Sequence, residues 1–398
     1  MSTIRYLTAG ESHGQGLVGI IEGLPAGLEI TEEDIAVDLK RRQMGHGRGG
    51  RMKIEKDKAQ IFSGVRFGKT LGSPIALIVE NKDWKNWQTR MSIKDIDESV
   101  KQVTVPRPGH ADFAGAVKYG HQDIRNVLER ASARETAMRV ALGAIARKFL
   151  RTFSIQIVSH VLQIHSIKNS FTVASLGAKN SDLPFELSEI SDLADRSPVR
   201  CLDSSIEKEM IAKIDQAKKD QNTVGGIFEV ACLNLPVGLG SHVHWDRKLD
   251  ARISHAMMSI PAMKGVEIGM GFEAGARFGS EVHDQIYYDK DSKKYFRSSN
   301  GAGGLEGGIT NGMPLTVRVA MKPISTLMRP LDSVDMATKE QTAAHIERSD
   351  VCAVPAASII GESILALVVA DAFLEKFGGD SMKEITRTYR AWEKNSDI

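Results

Sequence analysis

Leu315, Val317, Val319 and Met321 alternate with polar or small residues, the period of two expected of a strand with one buried face. Apolar runs at 4–8, 17–21, 61–65, 75–80, 155–164 and 224–235 predict further strands. Between them the period lengthens. Ile124, Val127, Leu128, Ala131, Met138, Ala141, Leu142, Ile145 and Phe149 form one stripe at helical spacing, predicting a long helix over 123–151. Ile206, Met210, Ile211, Ile214 and Ala217 mark another over 204–219, opened by Ser204-Ser205-Ile206-Glu207. Thr31-Glu32-Glu33-Asp34 reads as a capping box for a helix to about Gln43, with acids in its first turn and Lys40, Arg41 and Arg42 in its last. Segments 92–103 and 247–259 also read as helical. A final long helix begins near Pro355, where a proline suits the first turn.

Hairpin-like strands mixed with long helices predict an α+β fold. No repeat or linker divides the 398 residues, so 1–398 is expected to be one large domain. Residues 168–198, rich in Ser, Asn and Asp with weak periodicity, read as a variable insertion. The apolar segment 356–377 carries Glu362, Asp371 and Glu375, which marks a buried helix rather than a membrane span. The N-terminus lacks the apolar core of a signal peptide. Three scattered cysteines, Cys201, Cys232 and Cys352, fit a reducing cytoplasm and argue against a disulfide framework or a zinc site.

Charge sharpens the picture at one place. The chain balances 52 basic against 50 acidic residues, a formal +2, which does not suit a general nucleic-acid binder. Yet Lys40-Arg41-Arg42-Gln43-Met44-Gly45-His46-Gly47-Arg48-Gly49-Gly50-Arg51-Met52-Lys53 packs cations among glycines with no acid until Glu55. Glycines bring backbone N–H groups close to a ligand, and arginine forks match phosphate and carboxylate oxygens. The run fits two readings, a cradle for a small anion or a solvated loop.

Other motifs narrow the chemistry. Gly10-Glu11-Ser12-His13-Gly14 satisfies the nucleophile-elbow pattern, but a strand is expected after it where a hydrolase needs a helix. His242-Val243-His244 places two imidazoles on one side of an expected strand with no third ligand, which suits structural histidines better than a metal. Arg134 and Glu135 interrupt the edges of the long helix's apolar stripe, with Arg130 a turn earlier and Ser132 beside them; an internal ion pair and an anion wall fit equally. His13 and His110 sit in glycine-containing turns, where an imidazole can reach a ligand and titrate near neutrality. Arg348-Ser349-Asp350 adds a cation and a carboxylate. Lys322-Pro323-Ile324-Ser325-Thr326 offers a cation, hydroxyls and amides suited to a cofactor phosphate. These features describe an enzyme that binds a phosphorylated, carboxylated small molecule and moves protons with histidine. They do not name the reaction.

Taken in order, the motifs resemble the chorismate synthase family. The resemblance runs from Arg5-Tyr6-Leu7-Thr8-Ala9-Gly10-Glu11-Ser12-His13-Gly14 through Gly47-Arg48-Gly49-Gly50-Arg51-Met52, Pro106-Arg107-Pro108-Gly109-His110-Ala111-Asp112 and Ser132-Ala133-Arg134-Glu135-Thr136. It continues through Lys264-Gly265-Val266-Glu267-Ile268-Gly269 and Gly303-Gly304-Leu305-Glu306-Gly307-Gly308 to Arg348-Ser349-Asp350. It implies a β–α–β sandwich and a homotetramer. It also implies conversion of 5-enolpyruvylshikimate-3-phosphate to chorismate and phosphate, an anti-1,4-elimination in the shikimate pathway of aromatic amino acid biosynthesis that requires reduced FMN. Some members of the family reduce their own flavin with NADPH and most bacterial ones rely on an outside reductant. The sequence does not choose between them, and the expectation here is NADPH used only indirectly, through an external flavin reductase. Carried over residue by residue, the family pattern makes His110, His13 and Asp350 catalytic. It gives Arg42, Arg48, Arg107 and Arg134 to the substrate, with Ser12 and Arg51 as weaker partners, and leaves Arg41 and His46 as scaffold or rim. Flavin contacts fall to Arg130, Ala131, Ser132, Ala262, Gly307, Arg348 and Lys322, Pro323, Ile324, Ser325 and Thr326. Pro261 stands where relatives carry Asn or Gln, so only its backbone matches the pattern. A serine hydrolase using Ser12 and an RNA binder using the Arg/Gly loop are the alternatives.

Overall fold

The alternating N-terminal segments pair into a sheet. In the computed structural model, which describes residues 4–50, 54–94, 99–173, 185–291 and 293–395, β1 (Arg5–Ala9) lies antiparallel to β2 (Gly16–Glu22). β3 (Ala59–Ile61) and β4 (Ile75–Glu80) complete a sheet of order β1-β2-β4-β3. Leu17, Ile21, Ile75, Leu77 and Val79 point from it into the core, while Leu7, Val18 and Ile20 lie exposed on its outer face. The second sheet collects β5 (Gln156–Ile164), β6 (Ile167–Lys168), β7 (Gly226–Leu233), β8 (Met263–Ile268) and β9 (Leu315–Met321) in the order β8-β9-β7-β5-β6.

Helices pack between and around the sheets. They are α1 (Glu32–Gln43), α2 (Asp112–Tyr119), α3 (Thr136–Arg151), α4 (Ser204–Lys219), α5 (Leu249–Met258), α6 (Val354–Phe377) and α7 (Met382–Asn395). α3 packs on the first sheet, α6 on the second, and the two helices on each other, giving the β–α–β sandwich. This position explains why α6 is apolar all round: sheet and helix cover it from both sides, and it is buried along nearly its whole length. It is also, among the described residues, the one helix long and apolar enough to cross a membrane, and it lies inside the protein. The two central helices approach closely enough that a Cβ on Gly143 would stand 2.5 Å from the Ser363 side chain.

A buried ionic cluster ties α1 to α6. Glu362, fully buried, accepts from Arg41 Nη1 at 2.6 Å, while Arg147 Nη1 lies 3.0 Å away and Arg200 Nη2 3.5 Å. Burial opposes its charge, but the three guanidiniums outweigh that and hold its carboxyl far below the usual range. Arg41 also reaches Asp38 and Asp195, and His46 pairs with Asp215 of α4 at 2.8 Å. Both side chains are thus tied to acids on other elements.

Several expectations change. The strand expected at 61–65 is interrupted, its residues dividing between β3 and a two-residue strand at Val65–Arg66. The helix over 123–151 is broken: a short turn at Arg125–Leu128 is followed by the 3-10 turn Ala133–Glu135 and only then by α3. Ser132 takes an extended conformation and caps the second piece through Arg134 N–H at 3.3 Å, a local bond that competes with helix continuation. The apolar spacing runs across the break because Ile124 and Leu128 serve a separate small cluster with Ala116. Residues 92–94 and 99–103 form no helix; 95–98 lie outside the described residues. His242 and His244 occupy an exposed turn, not a strand. β8 was hidden by its glycine-rich surroundings. α7 holds only a few apolar side chains, of which Ile385, Tyr389 and Trp392 pack toward Phe377 and the core. Within 168–198, residues 174–184 lie outside the described residues, and the described part includes the short helix Ile190–Arg196, whose Asp195 binds Arg41.

Candidate active site

Arg42 stands in the last turn of α1, where the chain leaves the helix for the Arg/Gly loop. Its side chain is turned inward: Nε and Nη2 donate to Thr136 Oγ1 at 3.1 and 2.9 Å, and Nη2 also to Ala133 O at 2.9 Å. Burial pushes its pKa down to about 10, with Asp57 partly offsetting the effect. The loop then folds back on the segment before α6. Gly49 N–H donates to Asp350 Oδ1 at 2.6 Å and Arg48 Nη1 pairs with Asp350 Oδ2 at 3.0 Å. A Cβ on Gly49 would come within 2.7 Å of Ser349 O, so only glycine permits this approach.

The break before α3 carries Ala131, Ser132, Ala133 and Arg134 to the same cavity. Arg134 Nε donates to Asn81 at 2.8 Å and Nη1 to Asp57 at 2.6 Å. Among the described residues, Arg42 Nη1 and Arg134 Nη2 at this wall have no acceptor within hydrogen-bonding distance; Asp57 and Glu55 stand 3.6 and 3.8 Å away. Burying such groups unpaired is costly, so their presence at a cavity wall points to an anion that completes them.

Prolines 106 and 108 hold the next loop extended, and its acid at the start of α2 gathers the loop's cation and histidine. Asp112, fully buried, accepts from Arg107 Nε at 2.8 Å and Nη2 at 3.1 Å, and His110 Nδ1 lies 2.5 Å from its Oδ1. Burial opposes the charge on Asp112, but His110 and Arg107 hold its carboxyl far below the usual range. Arg107 also donates to Thr326 Oγ1 at 2.9 Å. A second histidine is held in the same manner. His13 Nδ1 is 3.0 Å from both oxygens of Glu129, and its ring stacks on Trp87 at 3.9 Å.

These groups share one cavity of about 430 Å³. It brings together Ser12, His13, Arg42, Arg48, Arg107, His110, Ala131, Ser132, Arg134, Pro261, Ala262, Lys322, Pro323, Ile324, Ser325, Thr326, Arg348 and Asp350. Leu128, Ile260, Met263, Met321 and Ile360 give it an apolar wall. Arg348 is braced by Asp83 at 2.6 Å. Lys322 donates to Gly109 O, and burial together with Lys264 lowers its pKa. Two sequence candidates lie outside the cavity. Arg130 donates to Thr8 O and Gly10 O and so clamps the N-terminal turn, while Gly307 sits in the turn between Leu305–Glu306 and Ile309–Thr310. Arg51 lies outside the described residues. A larger open groove of about 900 Å³ runs along α7, but its lining contains no histidine and none of the sequence candidates.

Sequence reasoning missed the supporting acids. Asp112 follows His110 by two residues and Glu129 follows Arg125 by one helical turn, so both were within reach of a spacing argument. Asp57, Asn81, Asp83 and Trp87 are far in sequence from what they hold, and no local pattern marks them. The hydrolase elbow is ruled out by geometry: the turn holding Ser12 runs from strand into strand.

Buried guanidinium atoms awaiting acceptors and histidines held by carboxylates define a class, an enzyme that transfers protons on a small anionic metabolite. The profile described as chorismate synthase matches residues 4–374. A chorismate synthase of Aquifex aeolicus is 55% identical over 392 residues, covering 97% of this chain and 96% of that one. One of Listeria welshimeri is 56% identical over 380 residues, 95% of each. A solved chorismate synthase crystal structure superposes with a TM-score of 0.76 at 45% identity, covering 98% of this chain and 97% of its own. The chain belongs to the chorismate synthase family. It is a carbon–oxygen lyase.

Proposed function

We propose that the chain converts 5-enolpyruvylshikimate-3-phosphate to chorismate and phosphate by anti-1,4-elimination, with reduced FMN as cofactor. The observation that carries this reading is the pair of unsatisfied buried guanidinium atoms, on Arg42 and Arg134, in the cavity that also holds His13 and His110. A phosphate ester with two carboxylates is an anion of the charge such a wall requires.

The residues present fit a flavin. Ser325, Thr326 and the amides around them can take a phosphate, and the apolar wall from Leu128 to Ile360 suits a flat ring. Reduced FMN, when bound, supplies an electron that eases phosphate loss at C3 and is recovered as hydrogen leaves C6. The chain does the rest. Arg42, Arg48 and Arg134 hold phosphate and carboxylates, with Ser12 and Arg51 as lesser partners. Arg107, whose fork lies on Asp112, orients His110 as well as adding charge. His110, with Nδ1 on Asp112, gives the proton at Nε2 to the departing phosphate. His13 holds its exchangeable proton on the flavin side. Asp350, fixed by Arg48 and Gly49, assists hydrogen removal. Pro261 contributes backbone rather than side chain.

The finer assignments belong to the same reading: a single domain over 1–398, working as a homotetramer in the cytoplasm, with flavin reduced by an outside reductase and NADPH used only through it. Three buried free cysteines suit a reducing compartment. The exposed outer face of the first sheet, with Leu7, Val18 and Ile20, and the exposed hairpin Ile286–Asp289/Lys294–Arg297, with Tyr287 and Tyr295, suit contacts with further copies.

The test is anaerobic phosphate release from the enolpyruvyl substrate, followed with chorismate absorbance. Turnover only with reduced FMN is expected. Turnover without flavin, or none with it, overturns the proposal.

A further inference from the structure

The imidazole of His13 is fixed from several directions by groups to which nothing so far assigns a part in the reaction. Glu129, only 2% exposed, takes His13 N–H at 2.8 Å and stands 3.0 Å from Nδ1 with each oxygen. Trp87 covers the ring at 3.9 Å with 27° between planes. Arg125 completes the cage, donating to Glu129 at 2.8 Å and lying 5.0 Å over the Trp87 ring. Its other arm reaches Glu347 at 3.1 Å, which in turn binds His345 at 2.9 Å.

We infer that Glu129 is a positioning residue for the reaction, fixing His13 as the Nδ1–H form so that Nε2 is the nitrogen that exchanges the proton. The inference rests on the lyase reading above. An ionised carboxylate is an acceptor only, so a ring nitrogen bonded to it must carry the hydrogen. Burial opposes the charge on Glu129, but the bonds from His13 and the charge of Arg125 outweigh it and hold the carboxyl below its usual range. A backbone bond and a side-chain bond from the same histidine to one carboxylate fix both where the ring sits and how it is turned. Pre-set orientation of this kind is worth most for a group that must meet a bound ring at one nitrogen.

Glu129→Gln isolates the claim. The amide keeps the volume and can still bond the ring, but its NH₂ favours the opposite tautomer, with hydrogen on Nε2. Arg125 keeps Glu347 as a counter-charge, so no buried cation is orphaned. Turnover with reduced FMN should fall about a hundredfold. Affinities for oxidised FMN and for substrate should change by less than about threefold, because Glu129 is not among the groups lining the cavity. Glu129→Asp, which restores the carboxylate on a shorter arm, should recover part of the turnover. A readout independent of activity is the solid-state ¹⁵N spectrum of histidine-labelled protein, with the His13 signals assigned by their loss in His13→Asn. Wild type should show Nδ1 protonated, and Glu129→Gln should not. Wild-type turnover in Glu129→Gln, equal losses in turnover and binding, or a wild-type His13 protonated at Nε2 alone would each overturn the inference. If wild type releases no phosphate with reduced FMN, the lyase reading fails instead, and the nitrogen spectra alone decide whether Glu129 sets the tautomer.

Discussion

Arg134→Met removes a guanidinium that lacks an acceptor on Nη2 among the described residues, and its consequences divide into two parts. The first is binding. Arg134 Nη2 carries an N–H with no acceptor among the described residues, and one charge-assisted hydrogen bond to a ligand is worth about 1.5–3 kcal/mol. Loss of it should weaken substrate binding by about tenfold to about a hundredfold. The second is stability. Asp57, whose side chain is fully buried, loses its 2.6 Å partner and, among the described cations, keeps only Arg42 Nη1 at 3.6 Å. Leaving a buried charge so exposed to its own desolvation costs about 3–5 kcal/mol. The double variant Asp57→Asn/Arg134→Met removes the orphaned charge and separates the two parts. Calorimetric binding of substrate in the presence of oxidised FMN, beside denaturant unfolding, reads both. Expected is a double variant that regains stability but not affinity. If Arg134→Met binds substrate like the wild type, or if the double variant recovers both quantities, Arg134 is structural and the anion lies elsewhere.

Three further outcomes follow from the same geometry. His110→Ala should cut turnover by about a hundredfold or more while flavin affinity is nearly unchanged; parallel losses would make His110 structural. Glu362→Gln leaves Arg41, Arg147 and Arg200 crowded without their shared counter-charge, and should cost about 3–5 kcal/mol of stability, read by denaturant unfolding. An unfolding midpoint like the wild type's would contradict the view of this cluster as the tie between α1 and α6. Glu347 has its pKa lowered from 4.5 to about 2, burial opposing its charge and His345 and Arg125 outweighing that. A depressed carboxyl stabilises above its unfolded value, so its contribution is intact above 4.5 and disappears as pH falls toward 2. The acid limb of thermal stability should therefore be shallower in Glu347→Gln, and an identical limb would refute the assignment.

How much of this was legible in the chain depends on range. Period-two runs and capped helices announced most of both sheets and helices α1, α4 and α6, because each is decided by neighbours within a few residues. The break at 129–135 was not legible. Its apolar spacing continues as if the helix did, yet the helix stops short of a serine that caps the next turn through Arg134 N–H. The site divides in the same way. Arginines in a glycine run and histidines in turns stand out locally, whereas Asp57 and Asn81 become site residues only when the fold carries them to Arg134. Arg107 is instructive because the residue was expected at the site, yet its fork closes on Asp112, two residues past the histidine it steadies.

The central claim is that phosphate elimination takes place in the cavity between the two carboxylate-held histidines. A structure of the protein with oxidised FMN and the enolpyruvyl substrate tests it most directly. Expected are the substrate phosphate within hydrogen-bonding distance of His110 Nε2, substrate oxygens on Arg42 Nη1 and Arg134 Nη2, and the flavin phosphate along Ser325 and Thr326. Both ligands bound outside this cavity, or substrate bound there with Arg42 and Arg134 still lacking acceptors, would contradict it.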